Sequence, residues 1–151
     1  MKMIKQMKMA AAAMVVTLPM ALPTVVQAQE FPLVAGEYSN VSGIYIKDGG
    51  AFKYANHLAG DWTKVQEFAK SKGWISDYKI LINENQRDGE PTLYLMTTFA
   101  SIPDAAESER RNKEYDAFMK SSAEQQITAS GNRAEYRTVK SSMLLREYKP
   151  R

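Results

Sequence analysis

YKILINENQRDGEPTLYLMTTF, running from Tyr78 to Phe99, is the stretch on which the fold turns. Tyr78, Ile80 and Ile82 alternate with Lys79, Leu81 and Asn83. Further on, Leu93, Leu95, Thr97 and Phe99 alternate with Tyr94, Met96 and Thr98. A period of two is that of a β-strand, whose successive side chains point to opposite faces. Glu84 to Pro91 connects the two runs and contains Asp88-Gly89, a turn dipeptide. The stretch therefore reads as a hairpin with a long, solvated loop. Asn83, Asn85, Asp88 and Glu90 bring oxygen atoms to that loop, but Arg87 stands where a calcium loop needs a ligand. No bidentate glutamate closes the site, so the loop is read as a solvated turn and not as a metal site.

Upstream lies the clearest helix. Phe52, Ala55, Leu58, Trp62, Val65 and Phe68 recur at spacings of three and four, while Lys53, Lys64, Glu67 and Lys70 fall outside that stripe. Gly73 and Trp74 follow its basic last turn, the order of a left-handed C′ residue and its apolar contact. Gly60 within the stripe predicts a bend or break there. Before the helix, Val41, Ile44, Tyr45 and Ile46 in Tyr38 to Lys47 predict a strand ending at Asp48-Gly49-Gly50. Gln29 to Glu37 reads as an N-terminal arm, with Pro32 and Gly36.

Downstream of the hairpin, Ser101 and Asp104 stand three apart with Pro103 between them, which predicts a helix start. Ala105, Tyr115, Phe118 and Met119 are the apolar part of a charged helix reaching Lys120. Glu107, Glu109, Arg110, Arg111, Lys113 and Glu114 mix signs at i, i+3 and i+4 spacing, the pattern of an exposed face laced with ion pairs. A further helical turn over Ser122 to Ile127, a break at Ser130-Gly131-Asn132 and a last strand over Thr138 to Tyr148 complete the chain.

Strand, helix, two strands, helix, strand is an α+β order: the ferredoxin-like βαββαβ arrangement, an antiparallel sheet with helices on one face. The second face of such a sheet should be polar. Here Ile44 and Ile46 oppose Val41 and Tyr45, Leu81 opposes Ile80, and Tyr94 and Met96 oppose Leu95. Both faces are apolar, so something must cover the second one. A second copy of the same sheet is the expected cover, with Met96 or Ile44 as residues that would face it.

In this order and burial pattern, Tyr38 to Tyr148 resembles the dimeric α+β barrel superfamily. That superfamily includes cofactor-free monooxygenases of the antibiotic-biosynthesis type, ethyl tert-butyl ether degradation proteins, stress-responsive barrels and haem-degrading monooxygenases. The resemblance implies a homodimer with a cavity between sheet and helices. It transfers no catalytic residue by motif. The haem-binding members use a helical histidine after the central strands, and this chain has none there.

The first 28 residues carry a different message. Lys2, Lys5 and Lys8 form a basic region, Met9 to Leu22 an apolar one, and Val26-Gln27-Ala28 a small-residue cleavage site. These are the zones of a secretory signal peptide. Thr17, Pro19 and Pro23 interrupt the roughly 20 apolar residues that a bilayer span needs. The expectation is cleavage after Ala28, periplasmic or secreted localisation, no membrane anchor after cleavage, and a single domain over residues 38–151. Three of the 20 basic residues leave with the signal, so 17 remain against 17 acidic ones. The sequence pI of about 9.0 thus belongs to the precursor. A neutral chain offers no footprint for phosphate backbones, which excludes nucleic acid as a partner. There is no cysteine, hence no disulfide, no thiolate metal site and no cysteine nucleophile.

His57 is the only histidine, and Asp61 lies four residues on, within reach of an imidazole on the same helical face. They are the catalytic candidates. A half-exposed histidine beside a surface carboxylate is the plainer alternative. Tyr45, Tyr78 and Tyr94 on strands, with Trp62 and Trp74 around the helix, are the candidates for an aromatic-lined ligand cavity, against ordinary packing. No metal site and no cofactor are expected. The reading favoured on these grounds is a non-catalytic homodimer that binds a small apolar or aromatic ligand. The alternatives are a cofactor-independent oxygenase-like enzyme and a protein-interaction module.

Overall fold

A computed structural model describes residues 30–151. The signal-peptide reading of Met1 to Ala28 therefore lies outside the described residues. Strand β1 (Leu33–Ile46) leads into a helical rod made of α1 (Ala51–His57), a π-helical turn (Leu58–Trp62) and α2 (Thr63–Ser71). Strands β2 (Asp77–Ile82) and β3 (Leu93–Phe99) form the hairpin. Helices α3 (Ala105–Met119) and α4 (Ala123–Asn132), a 3-10 turn (Arg133–Glu135) and strand β4 (Arg137–Pro150) complete the chain. The four strands form one open antiparallel sheet in the order β2-β3-β1-β4. The architecture is α+β.

The register assigns the faces. Ile44 pairs with Leu93, and Leu93 with Ile82. Directly paired residues share a face, and on this one Ile44 and Leu93 pack with Tyr54 and Leu58 of the rod into the core. Ile46, Trp62, Leu95 and Tyr136 surround them. On the opposite face Val41 sits between Met96 of β3 and Met143 of β4 and is buried by them. Leu81, Met143 and Leu145 on that face stay exposed, and no helix of the described residues packs over it. Ile44 therefore faces the rod and not a partner, whereas Met96 lies on the uncovered side. Burying an aspartate at Ile44 would break the core before it tested any dimer.

Several local expectations change in detail. The rod does not break at Gly60. Backbone dihedrals stay in the right-handed helical region across both junctions, and a π turn takes up the irregularity. The Leu58 carbonyl, five residues back, accepts from both the Thr63 backbone N–H and, at 2.7 Å, the Thr63 hydroxyl. Phe52 points to solvent, and Tyr54 takes the core position in α1. The end of the rod is a Schellman motif: Gly73, with φ of 68°, donates to Lys70, and Trp74 donates to Ala69. Trp74 then meets Phe68 edge-on at 5.3 Å.

Helix α3 starts one residue after Asp104, whose side chain accepts from the Glu107 N–H, so Asp104 and not Ser101 is the cap. The capping box is found instead at Ser122 and Gln125, opening α4. Ser130-Gly131-Asn132, expected as a break, is the last turn of α4. Leu33 to Glu37, expected as an arm, extend β1 and pair with the end of β4. The charged face of α3 carries the anticipated pairs, Glu107 with Arg110 and Arg111, Glu114 with Arg110, and Glu109 with Lys113, and Glu114 also reaches Lys72 beyond the rod.

Candidate functional site

A cavity of about 650 Å³ opens between the rod and the α3–α4 pair. The rod contributes His57, Asp61, Trp62, Val65 and Gln66 to its wall. His57 and Asp61 stand four residues apart, about one turn, and so share a flank of the rod with Trp62. The opposite wall is Tyr115 and Met119 of α3, Lys120 and Ser121 of the junction, Gln125, Gln126 and Ala129 of α4, and Arg133.

The junction is held firmly. Lys120 adopts a left-handed conformation with φ of 52° and is the only non-glycine residue among those described that does so. That costs about 1–2 kcal/mol and ends α3 abruptly. Gln126 donates from its amide to both Asp116 and the Ser121 carbonyl, tying α4 back to α3. The stacking of Phe68 on Phe118, with ring centroids 4.0 Å apart, fixes α3 against α2. The mouth of the cavity thus rests on two anchored helices.

His57 is largely enclosed, its side chain 16% exposed. Burial pushes its pKa below the usual histidine value, and the nearby Arg133 charge pushes it the same way. Asp61 opposes both, with an oxygen 3.7 Å from Nδ1, too far for a hydrogen bond. The imidazole is therefore neutral at neutral pH, with a nitrogen able to accept a proton. Burial raises the Tyr115 phenol, and Arg133 again acts on it, pulling down. Among the described residues Arg133 makes no ion pair, and its Nε is buried without a hydrogen-bond partner. The Ser121 hydroxyl is buried and unpartnered as well. Native interiors leave few such groups unmatched.

The aromatic candidates do not converge. Trp62 lines the cavity, and Tyr78 packs edge-on against it at 5.5 Å, its hydroxyl donating to Glu67. Tyr94 pairs with Leu81 and Gly43, and Tyr45 with Thr138, both on the uncovered face of the sheet. Trp74 belongs to the aromatic cluster with Phe68, under the Arg111 guanidinium. His57 and Asp61 do sit together, at the cavity wall. Arg133 and Ser121 escaped the sequence reading because they follow expected turns, where no periodicity points inward. One faint signal existed: Arg133 has no acidic residue three or four positions away on either side, only Ala129, Ser130, Tyr136 and Arg137.

A second hollow of about 340 Å³ lies across the rod, between Ala51, Ala55 and Ala59 and the strand residues Ile46, Ile80, Ile82, Thr92 and Leu93. It is apolar throughout. Among the described residues no group of three histidine, aspartate or glutamate side chains is placed to hold a metal ion, and no helix is long and apolar enough to cross a membrane. In comparisons with known proteins, no family model, no curated protein and no solved structure matches this chain.

Proposed function

We propose that the mature chain is an exported, non-catalytic binding protein that holds a small aromatic or apolar molecule in the cavity between the rod and the α3–α4 pair. The observation that carries this reading is the cavity: about 650 Å³, within the range of small-molecule sites, with Trp62, Val65, Tyr115 and Met119 as its apolar wall. We read the element order and the strand order as a ferredoxin-like unit of the dimeric α+β barrel type, working as a homodimer. The exposed Leu81, Met143 and Leu145 beside Tyr45, Tyr94 and Met96 support pairing through the open face of the sheet. The zones of Met1 to Ala28 support export and release from the membrane.

Two experiments test this. Titration of the mature chain with 1-naphthol by calorimetry should give saturable binding of one molecule per chain. Ala129→Trp, which fills the cavity from α4, should abolish it; undiminished binding in that variant would place the site elsewhere. Light scattering should give a dimer for the wild type and a monomer for Met96→Asp. Indifference to that substitution would remove the open face as the interface.

A second reading is favoured by one observation, the enclosure of a neutral His57 at the cavity wall. As a base it would take a proton from an acidic aromatic substrate, the opening step of cofactor-independent oxygenation. Oxygen uptake lost in His57→Ala would support it, and uptake that survives the substitution would count against it.

A further inference from the structure

We infer that the outer edge of β4 pairs with β4 of a second copy of this chain, antiparallel and centred on Leu144, so that the two sheets become continuous. This contact is separate from the pairing of open faces proposed above and does not depend on it.

The sheet has two edges, β2 and β4, and they differ in protection. Strand β2 has 6 residues and carries Asp77 and Lys79, which pair at 3.7 Å. Short length and charge are the ordinary defences of an edge. Strand β4 has 14 residues and no strand beyond it. Among the described residues, no backbone hydrogen bond leaves the outer side of Ser141 to Tyr148. Its pairing with β1 shifts register at Lys140 and again opposite Gly36 and Glu37, but runs without interruption from Ser141 to Arg146. That stretch is a regular and unguarded edge.

Its middle is apolar on both faces. Met143 and Leu145 lie on the open face, 39% and 49% exposed, and Leu144 between them is 56% exposed. Leu144 shares a row with Asn40, Thr97 and Tyr78, and Tyr78 packs against Trp62, so Leu144 is on the rod side and still uncovered. Stacking of open faces would cover Met143 and Leu145 and leave Leu144 in water. A strand laid along the edge gives all three a neighbour.

The stretch Ser141-Ser142-Met143-Leu144-Leu145-Arg146-Glu147 also selects a register. A two-fold axis normal to the sheet keeps each face on its own side, so opposed residues come from the same face. With Leu144 opposite its own copy, Met143 meets Leu145, Ser142 meets Arg146 and Ser141 meets Glu147. Apolar residues then face apolar ones, both charges face serines, and no like charges are opposed. Centring on Met143 would set Lys140 against Arg146. Centring on Leu145 would set Leu144 against Arg146 and Met143 against Glu147. This self-match favours a second copy over a foreign strand, since a two-fold contact uses the same surface twice.

The chain has no cysteine, so single introduced thiols measure this contact. Directly opposed residues of antiparallel strands bring Cβ atoms to about 4.5–5.5 Å, close to what a disulfide spans. Leu144 is exposed, so its replacement leaves the core intact. Mild oxidation of the full mature chain should cross-link Leu144→Cys into a covalent dimer. Leu145→Cys alone should cross-link far more slowly, but readily when mixed with Met143→Cys. No cross-link in Leu144→Cys, or equal rates for Leu144→Cys and Leu145→Cys, would overturn the proposal. Sedimentation velocity provides a readout without thiols. From micromolar to millimolar protein the wild type should show an association step that Leu144→Lys abolishes, because like charges then meet at the axis. No such step, or a step that survives Leu144→Lys, would refute the pairing. Leu144→Cys should still cross-link when combined with Met96→Asp. A cross-link lost in that double variant would make the edge contact a by-product of the open face and end the proposal.

Discussion

The rod has two sides, and each opens on a hollow of a different kind. Toward β2 and β3, the small side chains of Ala51, Ala55 and Ala59 leave an apolar groove over Ile80 and Ile82, with no polar group that asks for a partner. Toward α3 and α4, the wall is mixed, the helix is widened, Lys120 is strained, and Arg133 and Ser121 hold unmatched donors. The first is what loose packing at the edge of a sheet leaves behind. The second keeps strain and unmatched polarity that simple packing would remove. The two hollows thus differ in polarity and not only in volume.

The comparison is open to attack at neighbouring residues. Leu58 is buried in the core and also walls the apolar groove, so Leu58→Ala should lower stability in chemical denaturation by about 2–5 kcal/mol. The adjacent His57→Ala, which alters the polar side, should cost much less; an equal loss would mean that the polar side is ordinary core. Ala55→Leu should fill the groove and raise stability by about 0.5–2 kcal/mol without touching ligand binding. A fall in binding would show that the groove is part of the site. Lys120→Gly should relieve the left-handed conformation and add about 1 kcal/mol in the same denaturation measurement; no gain would mean that the conformation carries no strain.

The smallest effect is that of pH. His57 has a folded pKa below its unfolded value of about 6.5, so the folded chain binds fewer protons than the unfolded one. Its contribution to stability is therefore fully present above about pH 6.5 and is lost as pH falls from there through the folded value. Arg133 and Arg137 deepen this dependence and Asp61 reduces it. Denaturation midpoints between pH 7.5 and 5 should decline gently in the wild type and more weakly in His57→Gln. An unchanged slope would show that His57 is not enclosed in solution.

The parts of the fold legible in the sequence were those set by local periodicity. Alternation at Tyr78 to Ile82 and Leu93 to Phe99 located both strands of the hairpin, and the register puts Leu81, Tyr94 and Met96 on one face as the pattern required. Gly73 and Trp74 announced the end of the rod because the Schellman motif is built from neighbours in sequence. The stripe missed at Phe52 within α1, ahead of the π turn: Tyr54 lies four residues before Leu58, one turn back on the same face, whereas Phe52 lies six residues before it, on the outer side. At the site, His57 and Trp62 could be found from their helix alone. Ser121 and Arg133 could not, since their burial is created by α4 folding back onto α3, a tertiary event with no periodic trace.

The pairing of β1 with β4 has a consequence for how the molecule forms. Leu33 lies opposite Pro150, and the two longest strands of the sheet are the first and the last. Every other pairing, the hairpin and β1 with β3, is available earlier along the chain, but β1 keeps a bare flank until Arg137–Pro150 arrives. Joining elements so far apart means closing a very large loop, an entropic cost met late and a reason for slow folding. Until Arg137–Pro150 is available, β1 has no partner on that flank and the sheet stays incomplete.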